Sequence, residues 1–322
     1  MPVYHAETTV SRAILSCEEL NNLNPGVKLI AIDDCSADGS YDVLTSMAAT
    51  RPFIKVIRNL ENIGPGGTRN KALSVVDTEY IGFIDADDEL IASKYMEALF
   101  SMVCSDNDLI TFDAVTERNG AFFSRYDREL LVSKNVNLAK LCLQGRLDGC
   151  VLYSIFRRSL VNSNNICFGR YFFEDIEFFY KSLISSKNFN FFDAQCYVKH
   201  DTENSILTGM STKHIEGLLS SVVTMHDFVV EKNIFTACET QHYYSYCVAD
   251  YLFTIFNSIN SMQNGQEKQA LIDFTLLKSK EHNFLNLLPF SSTKKGAKLN
   301  EIFLNSISDN KLTADDLARV YD

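Results

Sequence analysis

Short apolar runs alternate with stretches of helical character along the first third of the chain. The apolar runs predict three strands, at Val27–Ile32, Phe53–Ile57 and Tyr80–Ile84. The stretches beside them predict helices, at Glu18–Leu23, Tyr41–Ala49 and Gly66–Val75. Strands separated by helices indicate parallel βαβ units, whose sheet is covered on both faces. Ligands of such sheets bind beyond the carboxyl ends of the strands, so the residues after each run are the first candidates for a site.

The rest of the chain changes from mixed to helical character. Residues 105–208 contain two more predicted strands, Leu109–Phe112 and Phe189–Phe192, and a predicted helix, Phe173–Ile184. From Thr212 onward apolar residues recur every three or four positions, as in Leu218, Val222, Met225 and Val229 and again in Tyr244, Cys247, Tyr251, Ile255 and Ile259. This spacing is typical of helices that pack one face on a core. The segment Gln263–Glu267 predicts a loop.

Composition and charge exclude several classes of protein. The 322 residues carry 30 Lys and Arg against 41 Asp and Glu, a net charge of −11. Non-specific nucleic-acid binding needs a basic face, so no nucleic-acid partner is expected. No run approaches the roughly 18 apolar residues of a membrane-spanning helix, and the first residues lack the basic and apolar regions of a secretory signal.

The cysteines point to a reducing compartment. There are nine, an odd number, and none forms a Cys-x-x-Cys pair, which argues against a disulfide framework and against a thiolate zinc site. We therefore expect a cytoplasmic protein. Contact of Lys294, Lys295 and Lys298 with anionic lipid at the inner face of the membrane is an alternative to an ordinary solvated loop.

A cluster of acids follows the third predicted strand, in Asp85-Ala86-Asp87-Asp88. Like charges this close are unfavourable unless one holds a proton or a cation lies between them. Mg²⁺ and Mn²⁺ take hard oxygen ligands of this kind, typically together with substrate phosphates. The alternative is that Asp87 or Asp88 caps a helix at Leu90–Phe100, which would account for one acid but not for all of them.

A glycine-rich segment lies between the second and third strands, in Asn62-Ile63-Gly64-Pro65-Gly66-Gly67-Thr68-Arg69-Asn70. Its glycines permit close backbone approach, and the helix that follows offers free N–H groups to an anion. Arg69 could meet a carboxylate or a phosphate. The segment is neither a Walker A loop nor a Gly-x-Gly-x-x-Gly fingerprint, so a plain turn into a helix is the alternative.

Four motifs in order make the pattern specific. They are Pro2-Val3-Tyr4-His5-Ala6-Glu7, Asp33-Asp34-Cys35-Ser36-Ala37-Asp38-Gly39-Ser40, the segment Asn62–Asn70, and Asp85–Asp88. Together they resemble the family 2 glycosyltransferases with a GT-A fold. Two later segments, Phe168–Phe178 and Tyr197–Ile206, resemble the family's Glu-Asp segment and its Tyr-x-x-His…Asn-Ser-Ile segment, so the resemblance covers residues 1 to about 208.

The resemblance implies an α/β fold with a Rossmann-like mixed sheet flanked by helices and a C-terminal helical extension. We expect a nucleotide-sugar-binding half at 1–110, an acceptor-binding half at 111–208 and a helical region at 209–322. The implied donor-binding residues are Pro2, Tyr4, Glu7, Asp33, Asp34, Gly67, Arg69, Asp85 and Asp87. Tyr4 and Asp33 or Asp34 would hold the base and ribose, whereas Asp85 and Asp87 would hold the ribose and the metal.

The implied metal is Mn²⁺ or Mg²⁺, with Asp85 and Asp87 as ligands. His200, near a strand end, could be a further metal ligand or contact the diphosphate; the alternative is an ordinary surface imidazole. Asp175 would be the catalytic base, with Glu174 beside it, in an apolar setting that could raise the pKa of Asp175. The alternative for both acids is that they complement the dipole at the start of a helix.

The implied function is metal-dependent, inverting transfer of a sugar from a nucleotide-diphosphate donor, most simply UDP-linked, to a hydroxyl. The acceptor would be a saccharide or lipid-linked saccharide, in the synthesis of cell-surface polysaccharide or lipopolysaccharide. Two rival functions are a catalytically inactive nucleotide- or carbohydrate-binding module and a nucleotidyltransferase. The latter would carry a Gly-rich, Lys- or Arg-containing loop near the first strand, which the sequence lacks.

Two substitutions and a missing strand depart from the family pattern. Cys35 replaces the usual Gly and Thr68 the usual Ala, and both replacements are small. The family's first strand, about five apolar residues long, is missing, because Met1 falls where its last residue belongs. Losing a central strand leaves neighbouring backbone unpaired. We therefore expect a start of translation further upstream, in preference to another segment in that position or a degraded enzyme.

Overall fold

The protein forms two compact units. The computed structural model describes residues 1–118, 121–124, 149–200, 209–290, 294–309 and 312–321. Of these, the first unit contains residues 1–118, 121–124, 149–170 and 178–200, and the second contains the rest. The predicted boundary at 208 and the Asn-Ser-Ile part of the segment Tyr197–Ile206 lie outside the described residues.

Alternating strands and helices open the first unit, as predicted. The strands β1 (Pro2–Val3), β2 (Leu29–Asp33) and β3 (Ile54–Arg58) form a parallel sheet in the order β1-β2-β3. The helices between and after them are α1 (Val10–Leu23), α2 (Ser40–Ala48) and α3 (Gly64–Val75). The strand expected before Tyr4 is thus represented by two residues, and the Met1 ammonium donates to Ile30 O at 2.9 Å.

A mixed sheet of six strands completes the first unit. Its strands are β4 (Tyr80–Gly82), β5 (Glu89–Leu90), β6 (Leu109–Arg118), β7 (Ala121–Ser124), β8 (Ser154–Arg157) and β9 (Phe189–His200). They lie in the order β4-β8-β6-β9-β5, with β7 paired to β6. Among the described strands of this sheet, β6 and β9 are parallel and the other pairs are antiparallel. The helices are α4 (Ala92–Cys104) and α5 (Arg158–Ser163), together with α6 (Glu174–Ser185), whose first turn belongs to the second unit.

The second unit is helical, as the spacing of its apolar residues predicts. It contains α7 (Thr212–Lys232), α8 (Ala237–Asn260), α9 (Gly265–Glu281), α10 (Lys294–Asp309) and α11 (Ala314–Tyr321). Every predicted apolar position of α7 is buried, and on α8 Cys247, Ile255 and Ile259 are buried. Within the described ranges, no helix combines the length and apolar character that crossing a bilayer requires.

Several predicted elements are wrong. The solvated loop expected at Lys294, Lys295 and Lys298 is the start of α10. The third predicted strand, Tyr80–Ile84, does not join the parallel sheet, because β4 pairs antiparallel with β8. The helix expected at Leu90–Phe100 begins two residues later, at Ala92, because Glu89–Leu90 pairs as β5 with Val198 and Tyr197 of β9. The loop expected at Gln263–Glu267 contains the start of α9, where the Asn264 side chain accepts from the N–H groups of Gln266 and Glu267. This N-cap satisfies the free donors at the start of the helix.

Four buried aromatic rings pack beneath the acidic segment that follows β4. Phe83 lies edge-on to Phe156, Phe168 and Phe178, with ring centroids 5.9, 5.3 and 5.6 Å away, and Phe168 stacks on Phe178 at 4.1 Å. Edge-to-face and stacked pairs are favourable beyond the area that they bury. Because Phe83 precedes Asp85 by two residues, this packing holds the start of the acidic segment in place.

Gly82→Ala should destabilise the protein. A Cβ at position 82 would lie 1.8 Å from the Oη of the buried Tyr95, and overpacking of this kind costs about 1–3 kcal/mol. We expect the free energy of unfolding from urea titrations to fall by that amount. Gly265→Ala is the control, because no atom lies within 4 Å of its added Cβ. A Gly82→Ala midpoint equal to that of the control would contradict the prediction.

Candidate active site

The end of β2 carries a buried carboxylate with one oxygen that has no partner. Asp33 is 0% exposed. Its Oδ2 accepts from Ser36 N at 3.3 Å and pairs with Arg58 Nε at 3.1 Å, whereas its Oδ1 has no hydrogen-bond donor among the described residues. A buried acceptor left unpaired costs free energy, so a ligand N–H placed there would be bound favourably.

Asp34, the next residue, accepts hydrogen bonds from two other segments. Its Oδ1 accepts from Asn59 Nδ2 at 2.7 Å and from Ile63 N at 3.0 Å. Asn59 Nδ2 also donates to Thr68 Oγ1, and Lys71 Nζ donates to Asn59 Oδ1. Asp34 therefore joins the end of β2 to the start of α3. Of the two acids that the sequence could not separate, Asp33 is the one with a buried oxygen that lacks a donor among the described residues. Which of the two meets a ligand stays a prediction.

The residues after β1 support the loop that follows β2. Glu7 Oε2 accepts from Gly39 N at 3.0 Å, and a Cβ on Gly39 would lie 2.6 Å from the Glu7 carboxyl. Pro2 pairs with Ile32 in the sheet. Tyr4 is 51% exposed and stacks on His5 with centroids 4.1 Å apart. Pro2 and Glu7 thus shape this end of the sheet, whereas Tyr4 presents an open aromatic face.

The glycine-rich segment forms the first turns of α3. The helix begins at Gly64, which has a φ of +76°, and a Cβ on Gly67 would lie 3.2 Å from the Ile63 side chain. Arg69 is 6% exposed, lies over the Phe168 ring and donates to Asp85 Oδ1 at 2.8 Å. The structure therefore pairs Arg69 with a carboxylate, one of the two partners that the sequence allows.

Three carboxylates meet beyond the end of β4. Oxygens of Asp85, Asp87 and Asp88 all lie within 4.8 Å of one another. Asp88 is 0% exposed; its Oδ2 accepts from Tyr197 Oη at 2.8 Å and its Oδ1 from His200 N at 2.9 Å. None of the three caps a helix, because the N-cap of α4 is Ile91. The capping alternative is therefore wrong.

Cations adjacent to the cluster change its proton affinities. Burial raises the pKa of Asp85, but the positive charges of Arg69 and Lys199 outweigh that effect and hold it below the ordinary value. Burial and the neighbouring Asp85 and Asp87 raise the pKa of Asp88 to about 6, although Lys199, 3.6 Å away, opposes the change. The same carboxylates raise the pKa of Lys199 above its ordinary value, against the effect of burial.

The donor set fits a small divalent cation. Asp85 and Asp87 are partly exposed and supply hard carboxylate oxygens, the ligands that Mg²⁺ and Mn²⁺ prefer. Asp88 fits a supporting role better, because both of its oxygens already accept hydrogen bonds. Asp85 and Asp87 are accordingly the residues suited to hold the cation.

His200 lies outside the carboxylate cluster. Its Nε2 is 2.6 Å from Glu89 Oε1 and its Nδ1 is 3.2 Å from Glu117 Oε2, so both ring nitrogens face carboxylates. Ligation by this imidazole would require it to leave one of them. What His200 contributes to the cluster in this structure is its backbone N–H, which binds Asp88. Its role as a metal ligand stays a prediction.

The predicted base, Asp175, and its neighbour Glu174 lie in the second unit. They are the first two residues of α6, as expected of acids that complement a helix dipole. Glu174 is 4% exposed, and Asp175 is partly exposed. Partial exposure would allow Asp175 to meet a substrate. The assignment of these two acids to catalysis stays a prediction.

Sequence reasoning missed the residues that hold the acids in place. Tyr197 and Lys199 contact Asp88, Arg58 pairs with Asp33, and Arg12 donates to Asp87 O. Tyr197 and Lys199 are two positions apart in a strand, so they point to the same face. That alternation, in a strand ending at His200, is the signal that could have identified them.

The mixed α/β fold is that of the GT-A class of glycosyltransferases. The family model "Glycosyl transferase family 2" matches residues 1–164, about half of the chain, and the protein belongs to that family. The TarS structure from S. aureus, residues 1–349 in complex with UDP-GlcNAc, superposes with a TM-score of 0.73 at 16% identity. That match covers 99% of this chain and 88% of the other.

Two curated relatives are similar over most of the chain. The cholesterol galactosyltransferase of Borreliella burgdorferi is 26% identical over 245 residues, which are 72% of this chain and 67% of the relative. The poly(ribitol-phosphate) beta-glucosyltransferase of Bacillus spizizenii is 23% identical over 235 residues, 70% of this chain but only 36% of the relative. The chain thus spans about two thirds of the first protein and about one third of the second.

Mn²⁺ should stabilise the protein through the carboxylate cluster. A cation that binds the folded state alone raises the melting temperature, by an amount that depends on its concentration relative to Kd. We expect millimolar Mn²⁺ to raise the melting temperature of the wild type and to have no such effect on Asp87→Asn. Asp42→Asn, which neutralises an exposed acid on α2, is the control. An equal shift in all three proteins would place the bound Mn²⁺ elsewhere.

Proposed function

We propose that this protein transfers a sugar from a nucleotide-diphosphate donor, UDP-linked, to a hydroxyl group of a saccharide or lipid-linked saccharide. The observation that carries the proposal is the cluster of Asp85, Asp87 and Asp88 beyond β4, in the same unit as the unpaired buried oxygen of Asp33. A cation site suits the diphosphate, and a buried acceptor suits an N–H group of a base. Family membership supports the same reaction class.

The donor would be held by residues at and beyond the ends of β1, β2 and β4 and by the first turns of α3. Asp33 Oδ1 would accept the base N–H, and the open face of Tyr4 would stack on the base. Asp85, oriented by Arg69, would bind a ribose hydroxyl, and Gly67 would let the backbone of α3 approach the donor. That the S. aureus TarS structure holds UDP-GlcNAc in the same fold supports a UDP-linked donor.

Asp85 and Asp87 would hold the Mn²⁺ or Mg²⁺ ion. When bound, the cation neutralises the charge that develops on the departing diphosphate. Asp88 would keep the cluster assembled by accepting from Tyr197 Oη and His200 N. Arg69 and Lys199 limit the repulsion among the three carboxylates when no cation is bound.

Asp175 would act as the general base. It would take the proton of the acceptor hydroxyl while the hydroxyl oxygen attacks C1 of the sugar. The new C1–O bond would form on the face opposite the breaking C1–O bond to the diphosphate, so that the anomeric configuration inverts and the nucleoside diphosphate leaves. Glu174, buried next to it, would support its position.

We assign a separate function to each of three parts of the chain. Residues 1–110 would bind the nucleotide sugar, residues 111–208 would bind the acceptor, and residues 209–322 would form a helical extension. The names of the two curated relatives, a cholesterol and a poly(ribitol-phosphate) glycosyltransferase, support a role in bacterial cell-surface glycan synthesis. We place the reaction in the cytoplasm, and the free cysteines of the described residues are consistent with that compartment.

Asp33→Asn should weaken UDP binding. In Asp33→Asn an amide N–H would face the uracil N–H, which needs an acceptor. Leaving the uracil N–H unpaired costs about 1–3 kcal/mol of binding free energy. That cost corresponds to a rise in Kd of roughly 5- to 150-fold. Isothermal titration of UDP in the presence of Mn²⁺ measures the effect. Asp38→Asn changes an acid of the same loop and is the control. Equal UDP affinity in Asp33→Asn and the wild type would remove Asp33 from base binding.

Asp175→Asn should lower turnover to a small residual rate while donor binding persists. General-base catalysis contributes about 10²- to 10⁴-fold, so we expect the release of UDP from UDP-glucose, UDP-galactose or UDP-N-acetylglucosamine to fall by that factor. Glu231→Gln, an exposed acid of α7, is the control and should keep wild-type activity. Tight Mn²⁺-dependent UDP binding by a wild-type protein that releases no UDP from any of these donors would favour the inactive binding module instead.

A further inference from the structure

The segment that carries Asp175 has a strained backbone. Phe173, two residues before Asp175, has a φ of +65°, a region that side chains with a Cβ rarely adopt. Such a conformation persists only where the surroundings hold it, and strained residues cluster at functional sites. The groups that hold Phe173 therefore determine where α6 begins and where Asp175 lies.

Helix α7, in the same unit, approaches this segment without room for a side chain. A Cβ on Gly217 would lie 2.2 Å from Phe172 O, 3.0 Å from Phe172 C and 3.1 Å from Phe172 N. These are backbone atoms, so they cannot move aside as the end of a flexible side chain could. Glycine at position 217 is therefore a condition for the observed path of Phe172 and Phe173.

Two hydroxyl contacts from the same helix lie on either side of that close approach. Ser221 Oγ is 3.3 Å from Phe173 O and 3.0 Å from Gly217 O, so its proton is shared between the two carbonyls. Tyr171 Oη is 3.4 Å from Thr224 Oγ1. Phe173 O also accepts from Ile176 N in the first turn of α6, so the carbonyl that Ser221 contacts also takes part in starting this helix.

We propose that Gly217 and Ser221 of α7 are positioning residues for the reaction, because they fix the backbone of Phe172 and Phe173 and thereby the place of Asp175. This inference rests on the proposed function, in which Asp175 is the base. Helix α7 follows the residues that the family model matches, 1–164. The helical extension would then take part in catalysis through the base, in addition to any part in binding an acceptor.

Ser221→Ala is the first test, with Ser220→Ala as its matched control. Ser221→Ala removes the contact with Phe173 O and adds no volume, whereas Ser220 is the adjacent, partly exposed residue. We expect UDP release from the active UDP-sugar to fall about tenfold in kcat, with KM for the donor and Mn²⁺-dependent UDP affinity unchanged. Amide hydrogen exchange in 171–177 should increase in Ser221→Ala alone.

Gly217→Ala extends the test, with an expected loss of about 100-fold, the size associated with a 1 Å displacement of a reacting group. When Gly217→Ala or Ser221→Ala is added to Asp175→Asn, the residual rate of Asp175→Asn should not fall further, because both residues act through the Asp175 base. If Gly217→Ala does not fold, Ser221→Ala gives the same double-mutant comparison. Two results would overturn the inference. One is a loss of activity from Gly217→Ala or Ser221→Ala that is as large in the Asp175→Asn background as in the wild type. The other is a Ser221→Ala variant whose kcat and amide hydrogen exchange equal those of the wild type.

The two proposals can fail separately. A wild-type protein that releases UDP from none of the donors would refute the proposed function, and the positioning role would fall with it. Wild-type activity in Asp175→Asn would refute the base assignment and the positioning role that rests on it, but not the proposed sugar transfer. Activity that depends on Asp175 but is unchanged by Ser221→Ala and Gly217→Ala would overturn the positioning role alone.

Discussion

Repulsion among three carboxylates at the end of β4 is the constraint on which the site depends. Asp85, Asp87 and Asp88 lie within 4.8 Å of one another, and no such arrangement is stable without compensating charge or donors. The chain supplies both, through the Arg69 ion pair to Asp85 and the hydrogen bonds to Asp88. These contacts bring α3 and β9 to the same place, so the geometry of the first unit and the chemistry of the cluster are linked.

Much of this organisation is predictable because it depends on local patterns. The strand β2 is a largely buried apolar run that ends in an acid, and β3 is rich in β-branched residues. The acids that follow β2 and β4 lie where ligands of such sheets bind, beyond the strand ends. The amphipathic spacing of α7 and α8 likewise predicts their buried faces. The four motifs also predict the family, because they occur in the same order and at the same intervals as in the family 2 glycosyltransferases.

What sequence reasoning missed depends on pairing between distant segments. Glu89 and Leu90 lie just before helix α4, and the local sequence predicts Leu90 as part of that helix. The two residues instead form a strand that pairs with β9, more than a hundred residues later in the chain. No local signal reveals that pairing. The same pairing brings Tyr197 and Lys199 to Asp88. The difference between Asp33 and Asp34 also depends on tertiary contacts. Asn59 and Ile63 donate hydrogen bonds to Asp34 Oδ1 and not to Asp33.

The central claim is that Asp85 and Asp87 hold a divalent cation on the diphosphate of the donor. The most direct measurement is anomalous diffraction at the manganese absorption edge from crystals grown with UDP and Mn²⁺. The account predicts one strong peak between the carboxylates of Asp85 and Asp87 and the diphosphate, with the uracil N–H on Asp33 Oδ1. Ordered UDP with no anomalous peak at these carboxylates, or a peak bound by other residues, would contradict it.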